Sequence, residues 1–472
     1  MSVFQGLTIG ILGAAATGLA AAPVLARRGA RVRVFDARPA EQLGEAPGRL
    51  APYAALYLGR EDPELLEGCD LLIPSPGVPA SSGFLQAALR RGIPVLSEIE
   101  AAYRIMTARL IAVTGTNGKT TTVFMTAAAL QAAGYQTRVA GNTLARGYQT
   151  PLIQTADEAS PDEWIVAEVS SFQLEWVEQF RPNIAVITNI TSDHLNRHGT
   201  VAAYAAAKAR LFAAQTAADW SVLNRDDPVS AGLRDRTRGR LLQIGRARHE
   251  AEGGWIQPGS EGKPELWLRL RGQESVAWSG ARLQVPGQHN LENALAACCC
   301  AAAAGADLAR AATGLARFPG VPDRLESLGT WNGIEFVNNT MCTNVDAAIR
   351  SLEAYERPVI LIAGGRNKGL DFAPLGAVIA QRVKLLVSIG DDGPEIEQAA
   401  RRYGFQAIRR AESMAAAVRE AASGAAAGDV VLLAPACASF DWFRSFEERG
   451  AVFRAEVERL RAGGETHRGS CA

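Results

Sequence analysis

Short apolar runs alternate with stretches of helical spacing along most of the chain. In the first hundred residues LTIGILG, RVRVFD, LLIPSPG and IPVLS read as strands, and LAAAPVLARRG and SGFLQAALRRG between them read as helices. That alternation is the βαβ rhythm of a parallel sheet. A second block, from Glu98, holds IAVTGTNGKTTTV, the strands WIVAEVS and IAVITNI, and the helix VAAYAAAKARLFAAQ. Within it, the runs LWLRLRG, SVAWSG and RLQVPG between Gly253 and Gly287 read as antiparallel hairpins, and HNLENALAACCCAAAAG as the helix that closes the block. A third block, from Val321, alternates again, with strands VILIAGG, LLVSIG and VVLLAPA and a last helix FEERGAVFRAEVERLRAG. The pattern predicts an α/β protein of three domains, residues 1–97, 98–320 and 321–472.

Composition narrows the partners. At 472 residues the chain is longer than one core usually serves. Lysine plus arginine and aspartate plus glutamate number 49 each, so the basic footprint of a nucleic-acid or anionic-membrane binder is absent. A small-molecule partner is expected. The apolar stretch ILGAAATGLAAAPVLA is broken by glycine and has no basic region before it, which favours a strand-turn-helix over a membrane span. The seven cysteines (Cys69, Cys298, Cys299, Cys300, Cys342, Cys437 and Cys471) lack metal-ligand spacing, which suggests reduced thiols in a cytoplasmic protein.

The chemistry concentrates in the middle block. A strand, a glycine-bracketed turn and a lysine-threonine helix start form an anion cradle, because unsatisfied amides and the helix dipole both favour negative charge. Gly115 and Gly118 permit close approach, Lys119 reaches outer phosphates, and the hydroxyl of Thr120 or Thr121 suits Mg²⁺. The spacing departs from the usual phosphate-loop pattern, since Val113 stands where the first glycine falls. Two further strands end in ligating groups: Glu168 with Ser170 and Ser171, and Asp193 with His194. Strand ends converge on the ligand crevice of an α/β sheet. Taken singly, His194 also fits a surface histidine, and Lys208 a solvated helix face. In the first block Asp36 ends the second strand, where an acid often meets a ribose, while Gly10, Gly13 and Gly18 do not spell the dinucleotide fingerprint.

VTGTNGKTTT, AEVSSFQLE, TNITSDHLNRHG, AAKARLF, NRDD, GQHNLENALAA, FPGVPDRLE, AGGRNKGLDF and APACASFDWFRSFEERG occur in that order over essentially the whole chain. Together they resemble the Mur ligases. The resemblance implies a Rossmann-like domain binding uridine diphosphate, a central ATPase-like domain and a Rossmann-like domain binding the amino acid. It also implies the reaction: ATP-dependent amide ligation through an acyl phosphate, with D-glutamate added to UDP-N-acetylmuramoyl-L-alanine in peptidoglycan precursor synthesis. ATP and Mg²⁺ are the implied cofactors, and a cytoplasmic monomer without nucleic-acid or membrane partners is the implied setting.

By position, the resemblance assigns Lys119, Glu168, His194 and Lys208 to catalysis, with Thr120, Glu168, His194 and Lys208 toward metal and Lys208 as a carbamate. Gly115, Thr116, Asn117, Gly118, Lys119, Thr120, Thr121, Asn290, Asn293 and Arg324 fall where ATP is bound. Ala16, Thr17, Asp36, Arg38 and Ser75 fall near the uridine diphosphate. Asn142, Ser170, Gln173 and Arg197 match positions that contact the muramoyl peptide, and Thr343, Lys368, Ser439 and Phe446 those that hold the glutamate.

Four positions depart from the branch that adds D-glutamate. The run NNTMCTN, residues 338–344, has Asn339 and Met341 where an acid and a lysine are usual; Leu144 replaces a glycine, and Asn196 an acid. Losing an anion and a cation together keeps the site neutral. The readings left open are therefore the same ligation with another amino acid, such as L-glutamate, or another acceptor, and a nucleotide-binding homologue without turnover.

Overall fold

The computed structural model describes residues 3–143, 150–259, 263–279, 283–285, 287–367 and 369–466. The chain forms two compact units, residues 1–282 with 291–316, and residues 283–290 with 317–472.

The first unit holds two sheets. β1 (Thr8–Leu12), β2 (Arg31–Asp36), β3 (Ala54–Leu58) and β4 (Leu71–Pro74) form a parallel sheet in the order β3-β2-β1-β4. The run AALYL of β3, absent from the pattern reading, is a strand, whereas IPVLS makes only the single bridge Leu72 to Val95. The proline at 94 withholds one ladder donor there.

The second sheet has nine strands: β5 (Arg109–Thr114), β6 (Thr137–Gly141), β7 (Trp164–Glu168), β8 (Ile184–Ile187), β9 (Trp220–Asn224), β10 (Arg240–Gly245), β11 (Gly253–Pro258), β12 (Pro264–Leu270) and β13 (Gln273–Trp278). Their order is β13-β12-β11-β10-β9-β8-β5-β7-β6, parallel from β6 to β11 and antiparallel at β12 and β13. The expected hairpins are β11 to β13; of RLQVPG, residues 283–285 form no strand and 282 and 286 lie outside the described residues. β5 is buried from Leu110 onward and lies between β7 and β8, so the loop after it opens where chain direction across the sheet diverges. Apolar residues from both sheets join one core, among them Ile11 and Val34 with Ile99, Leu152 and Ile165.

Glu98 is one of several polar groups sealed into this unit. Glu98, 4 % exposed, starts the helix Glu98–Ile105 and accepts a 2.6 Å hydrogen bond from the Ile153 amide. Burial pushes its carboxyl up to about 7 against the hydrogen bonds from Ile153, Gln173 and Leu152. The folded value lies above the unfolded one, so between pH 4.5 and 7 the unfolded chain releases a proton that the folded chain keeps. Stability therefore falls across that window, by about 3 kcal/mol for this group, and is level above it. A Glu98→Gln chain has nothing to titrate there, and its melting temperature should drop less between pH 5 and pH 8 than that of the wild type. Parallel melting curves at both pH values check this.

The second unit is built on one sheet. β14 (Glu326–Trp331), β15 (Ile334–Asn338), β16 (Val359–Gly364), β17 (Val383–Ile389), β18 (Ile408–Arg410) and β19 (Val430–Leu433) run in the order β14-β15-β19-β16-β17-β18. Only β14 is antiparallel. Its two faces bury separate clusters, Val337, Leu361 and Leu432 on one and Phe336, Ile362 and Val431 on the other, as the two-residue period requires. No helix among the described residues is long and apolar enough to cross a membrane.

Candidate active site

The loop after β5 is shaped by two glycines in left-handed conformations, φ +149° at Gly115 and +81° at Gly118. A Cβ on Gly115 would lie 2.0 Å from Thr188 Oγ1, and one on Gly118 2.4 Å from Asn293 Oδ1. Backbone approach this close leaves glycine as the residue that fits. The loop is tied to the end of β8: the Thr116 amide donates to the Asn189 carbonyl at 2.8 Å, the Asn117 amide to Asn189 Oδ1 at 3.0 Å, and Thr188 Oγ1 to the Asn117 carbonyl at 2.6 Å. Gly118 then caps the helix Lys119–Ala132, whose first amides face the loop. Lys119 Nζ folds back to donate to the Thr116 carbonyl at 2.9 Å, which holds a cation over the loop.

Behind the loop, Thr120 Oγ1 donates to Glu168 Oε2 at 2.6 Å, and both residues are buried, as is Thr121. The Asn142 amide donates to the Glu168 carbonyl at 2.8 Å, so β6 ends against the same residue. Thr122 Oγ1 donates to Asn293 Oδ1 at 3.2 Å, which brings Asn293 beside the loop. One carboxylate, a hydroxyl and a phosphate-sized cradle suit Mg²⁺, which keeps several waters and takes few protein ligands. Among the described residues there is no group of three or more acidic, histidine or cysteine side chains that could hold a metal ion.

Lys208 is sealed in the same neighbourhood. Its Nζ donates to the Gly115 carbonyl at 2.9 Å and to Thr114 Oγ1 at 3.3 Å, over the Tyr204 ring at 4.4 Å. Burial first, and then the charge of Lys119, pull its ammonium down to about 6. His194 has a left-handed backbone (φ +51°) and a half-exposed ring, packed edge-on against Phe172 at 5.0 Å and Tyr204 at 6.2 Å. Tyr204 is the member that the sequence reading missed. It is buried, hydrogen-bonds Thr116, and lies between Lys208 and His194. Its position four residues before Lys208 on one helix face is the signal that was available.

The nucleotide-sugar candidates line the ends of β1, β2 and β4. Asp36 accepts from the Ala14 amide at 2.9 Å and from Arg38 Nε and Nη2 at 2.9 and 2.8 Å. Against burial, Arg38 and the Ala14 amide hold its carboxyl at about 2. Ala16 and Thr17 open the helix Ala16–Arg27, and Ser75 Oγ would lie 2.2 Å from a Cβ on Gly13 (φ +118°). Ser170 caps the turn Ser171–Leu174 reciprocally with Gln173. Arg197, on the turn Leu195–His198, donates to Glu175 at 2.6 and 3.1 Å.

In the second unit the run 338–344 is held by a buried polar net. Asn339 Nδ2 donates to Ser351 Oγ at 2.7 Å and its Oδ1 accepts from the Leu325 amide at 3.2 Å, so the amide that stands in place of an acid has a partner at both its nitrogen and its oxygen. Arg449, buried and also missed by the sequence reading, donates to the carbonyls of Thr340 (3.0 Å) and Cys437 (3.1 Å) and to Thr340 Oγ1 (3.1 Å). Burial lowers its guanidinium to about 10. It ties the 338–344 run to the segment carrying Ser439, while the Phe446 carbonyl accepts from Thr340 Oγ1 at 2.7 Å. Thr343 is half-buried in that run, and Arg324 and Asn290 belong to the same unit. Lys368, Leu144 and Cys471 lie outside the described residues, as does the side chain of Asn196.

Comparison with known proteins places this geometry. Residues 8–97 match the Mur ligase MurD-like N-terminal domain, 113–301 the Mur ligase middle domain, and 323–437 the Mur ligase glutamate ligase domain. The chain belongs to the Mur ligase family. This Mur ligase is 43% identical over 454 residues to the UDP-N-acetylmuramoylalanine–D-glutamate ligase of Pelotomaculum thermopropionicum, covering 96% of this chain and 98% of that one. It is 39% identical to the enzyme of the same name from Geobacter metallireducens, covering 97% and 99%. Its fold is similar to that of UDP-N-acetylmuramate-alanine ligase from Thermotoga maritima (TM-score 0.60, 20% identity, 97% and 100% covered). A pseudomurein peptide ligase type C from Methanothermus fervidus is similar also (TM-score 0.54, 18% identity, 96% and 100% covered).

The Gly118 geometry sets one expected result for this Mur ligase. Gly118→Ala must relieve both the left-handed backbone and the 2.4 Å approach to Asn293. The KM for ATP is expected to rise by about tenfold or more, with the KM for the nucleotide-sugar substrate within about twofold, in steady-state phosphate release.

Proposed function

We propose that this Mur ligase joins D-glutamate to UDP-N-acetylmuramoyl-L-alanine with hydrolysis of ATP, in peptidoglycan precursor synthesis. The observation that carries the proposal is the buried Thr120–Glu168 pair directly beneath the glycine-bracketed loop, in a chain alike over nearly its full length to ligases of that name. A carboxylate is a poor electrophile, and moving the γ-phosphoryl group onto it gives an acyl phosphate that an amine can attack with release of phosphate. The loop amides and Lys119 orient the phosphates and neutralise charge as it shifts toward the substrate carboxylate. When bound, one Mg²⁺ would be held by Thr120 and Glu168 and a second by His194 and Lys208, the lysine as a carbamate, and the ions would supply Lewis-acid charge stabilisation. Asp36, Arg38, Ser75, Ala16 and Thr17 bind the nucleotide; Asn142, Ser170, Gln173 and Arg197 the muramoyl peptide; Thr343, Lys368, Ser439 and Phe446 the amino acid; and Asn290, Asn293 and Arg324 the rest of ATP. The working unit is a cytoplasmic monomer with domains at 1–97, 98–320 and 321–472.

Asn339 supports a second reading, the same ligation with another amino acid, because its pairing to Ser351 and Leu325 uses an amide where an acid is usual. Phosphate release from ATP and UDP-N-acetylmuramoyl-L-alanine across D- and L-amino acids separates the two. Release with D-glutamate alone supports the proposal, release with another amino acid supports the second reading, and none with any amino acid overturns both.

A further inference from the structure

Glu175 directly follows the turn Ser171–Leu174 and has no role in the chemistry described so far. Its carboxylate takes Arg197 in a fork, Nε at 3.1 Å and Nη2 at 2.6 Å. The remaining guanidinium nitrogen, Nη1, donates at 2.9 Å to the carbonyl of Pro76, the residue after Ser75. The guanidinium lies over the Phe172 ring at 4.4 Å, and the His198 ring stacks on that phenyl at 5.5 Å with an interplanar angle of 24°. His198 Nε2 is 3.0 Å from Ser171 Oγ, and its Nδ1 is 3.8 Å from the Glu175 carboxylate. Both ends of the Glu175–Arg197 pair are shielded, at 18 % and 14 % side-chain exposure.

Three separate pieces of chain meet here: the turn bearing Ser170 and Gln173, the turn that follows His194, and the loop after β4. Arginine is rigid only in its head, so a guanidinium on a long stem points where its partners fix it. With two donors on Glu175, a planar fork leaves the third aimed in one direction, and that direction is the Pro76 carbonyl. We propose that Glu175 is a positioning residue that acts through Arg197, holding the loop after β4 in register with the Ser170–Gln173 turn so that the two ends of the nucleotide-sugar peptide are gripped at one spacing. The inference rests on the substrate reading above and adds to it a residue that never touches the reacting atoms.

The test compares Glu175→Gln, Glu175→Asp, Arg197→Ala and the double variant Glu175→Gln/Arg197→Ala. Glutamine keeps the shape but turns an NH₂ toward the guanidinium, so the KM for UDP-N-acetylmuramoyl-L-alanine is expected to rise about tenfold while that for ATP stays within about twofold. Aspartate, which keeps the charge on a shorter stem, should recover part of the loss. In the Arg197→Ala background Glu175→Gln should add nothing, because the two act as one unit. Hydrogen exchange reads the same strut without turnover: the Ser75 amide, bonded to the Leu12 carbonyl, and the Val78 amide, bonded to the Ser75 carbonyl, should exchange faster in Glu175→Gln. Equal KM shifts for ATP and the nucleotide sugar, or additive effects in the double variant, overturn the proposal. If the wild-type chain releases no phosphate with this substrate, the substrate reading fails by itself, and unchanged exchange at Ser75 and Val78 then overturns the strut as well.

Discussion

Replacing Lys208 by methionine is expected to lower phosphate release by about a thousandfold while leaving the fold at least as stable, because the lysine is costly to bury and valuable to chemistry. Its amine is held at about 6, so at neutral pH it is mostly unprotonated in the folded chain and protonated in the unfolded one. The folded chain binds fewer protons between pH 6 and 10.5, and stability attributable to this group rises with pH across that window. Methionine removes the mismatch, so in CO₂-free buffer the variant should melt higher than the uncarbamylated wild type near pH 7. A neutral amine is also the form that adds CO₂, and the resulting carbamate puts an anionic oxygen where a cation would repel Lys119 and the metal. With ¹³C-labelled bicarbonate, the wild type should show a carbamate carbon by NMR and Lys208→Met none. Full activity in the methionine variant would sink the assignment, and so would the absence of a labelled carbon in the active wild type.

Much of this arrangement was legible in the sequence because its parts lie close along the chain. The loop of Gly115 and Gly118 follows a buried strand and precedes a helix, and the residue types alone carry the anion chemistry. Glu168 ends β7 and meets Thr120 at the loop, as the convergence of strand ends in a parallel sheet predicts, whereas His194 lies beyond the end of β8. What escaped was set by packing between distant segments. Tyr204 reads as one more apolar residue on its helix until Lys208 is placed over its ring, and Arg449 reads as a solvated arginine until its three donors are seen on Thr340 and Cys437. The strand AALYL was missed because alanine and leucine suit helices as well, and it becomes a strand by pairing with β2. IPVLS failed for the opposite reason, having the strand composition but no continuous partner.

The Thr120–Glu168 contact carries the other large effect. Glu168→Gln keeps the size of the side chain and an oxygen for Thr120 Oγ1 to donate to, so the buried 2.6 Å bond is retained in form and the fold should survive. What it removes is the negative charge on which the proposed binding of a divalent cation at this pair depends. Mg²⁺ takes few protein carboxylates, and among the described residues no acidic cluster waits to replace this one. Phosphate release is therefore expected to fall by about a hundredfold or more at fixed Mg²⁺, with the Mg²⁺ concentration for half-maximal rate raised by about tenfold. Thr120→Val tests the other half of the pair: it removes the hydroxyl but leaves the charge, so its loss should be smaller and its Mg²⁺ dependence shifted less. Titrating Mg²⁺ in both variants separates ligand loss from general damage to the loop, since damage would raise the KM for ATP and leave the metal requirement where it was. An unchanged metal requirement in Glu168→Gln would move the cation away from β7 and leave Glu168 as a partner that orients Thr120 alone.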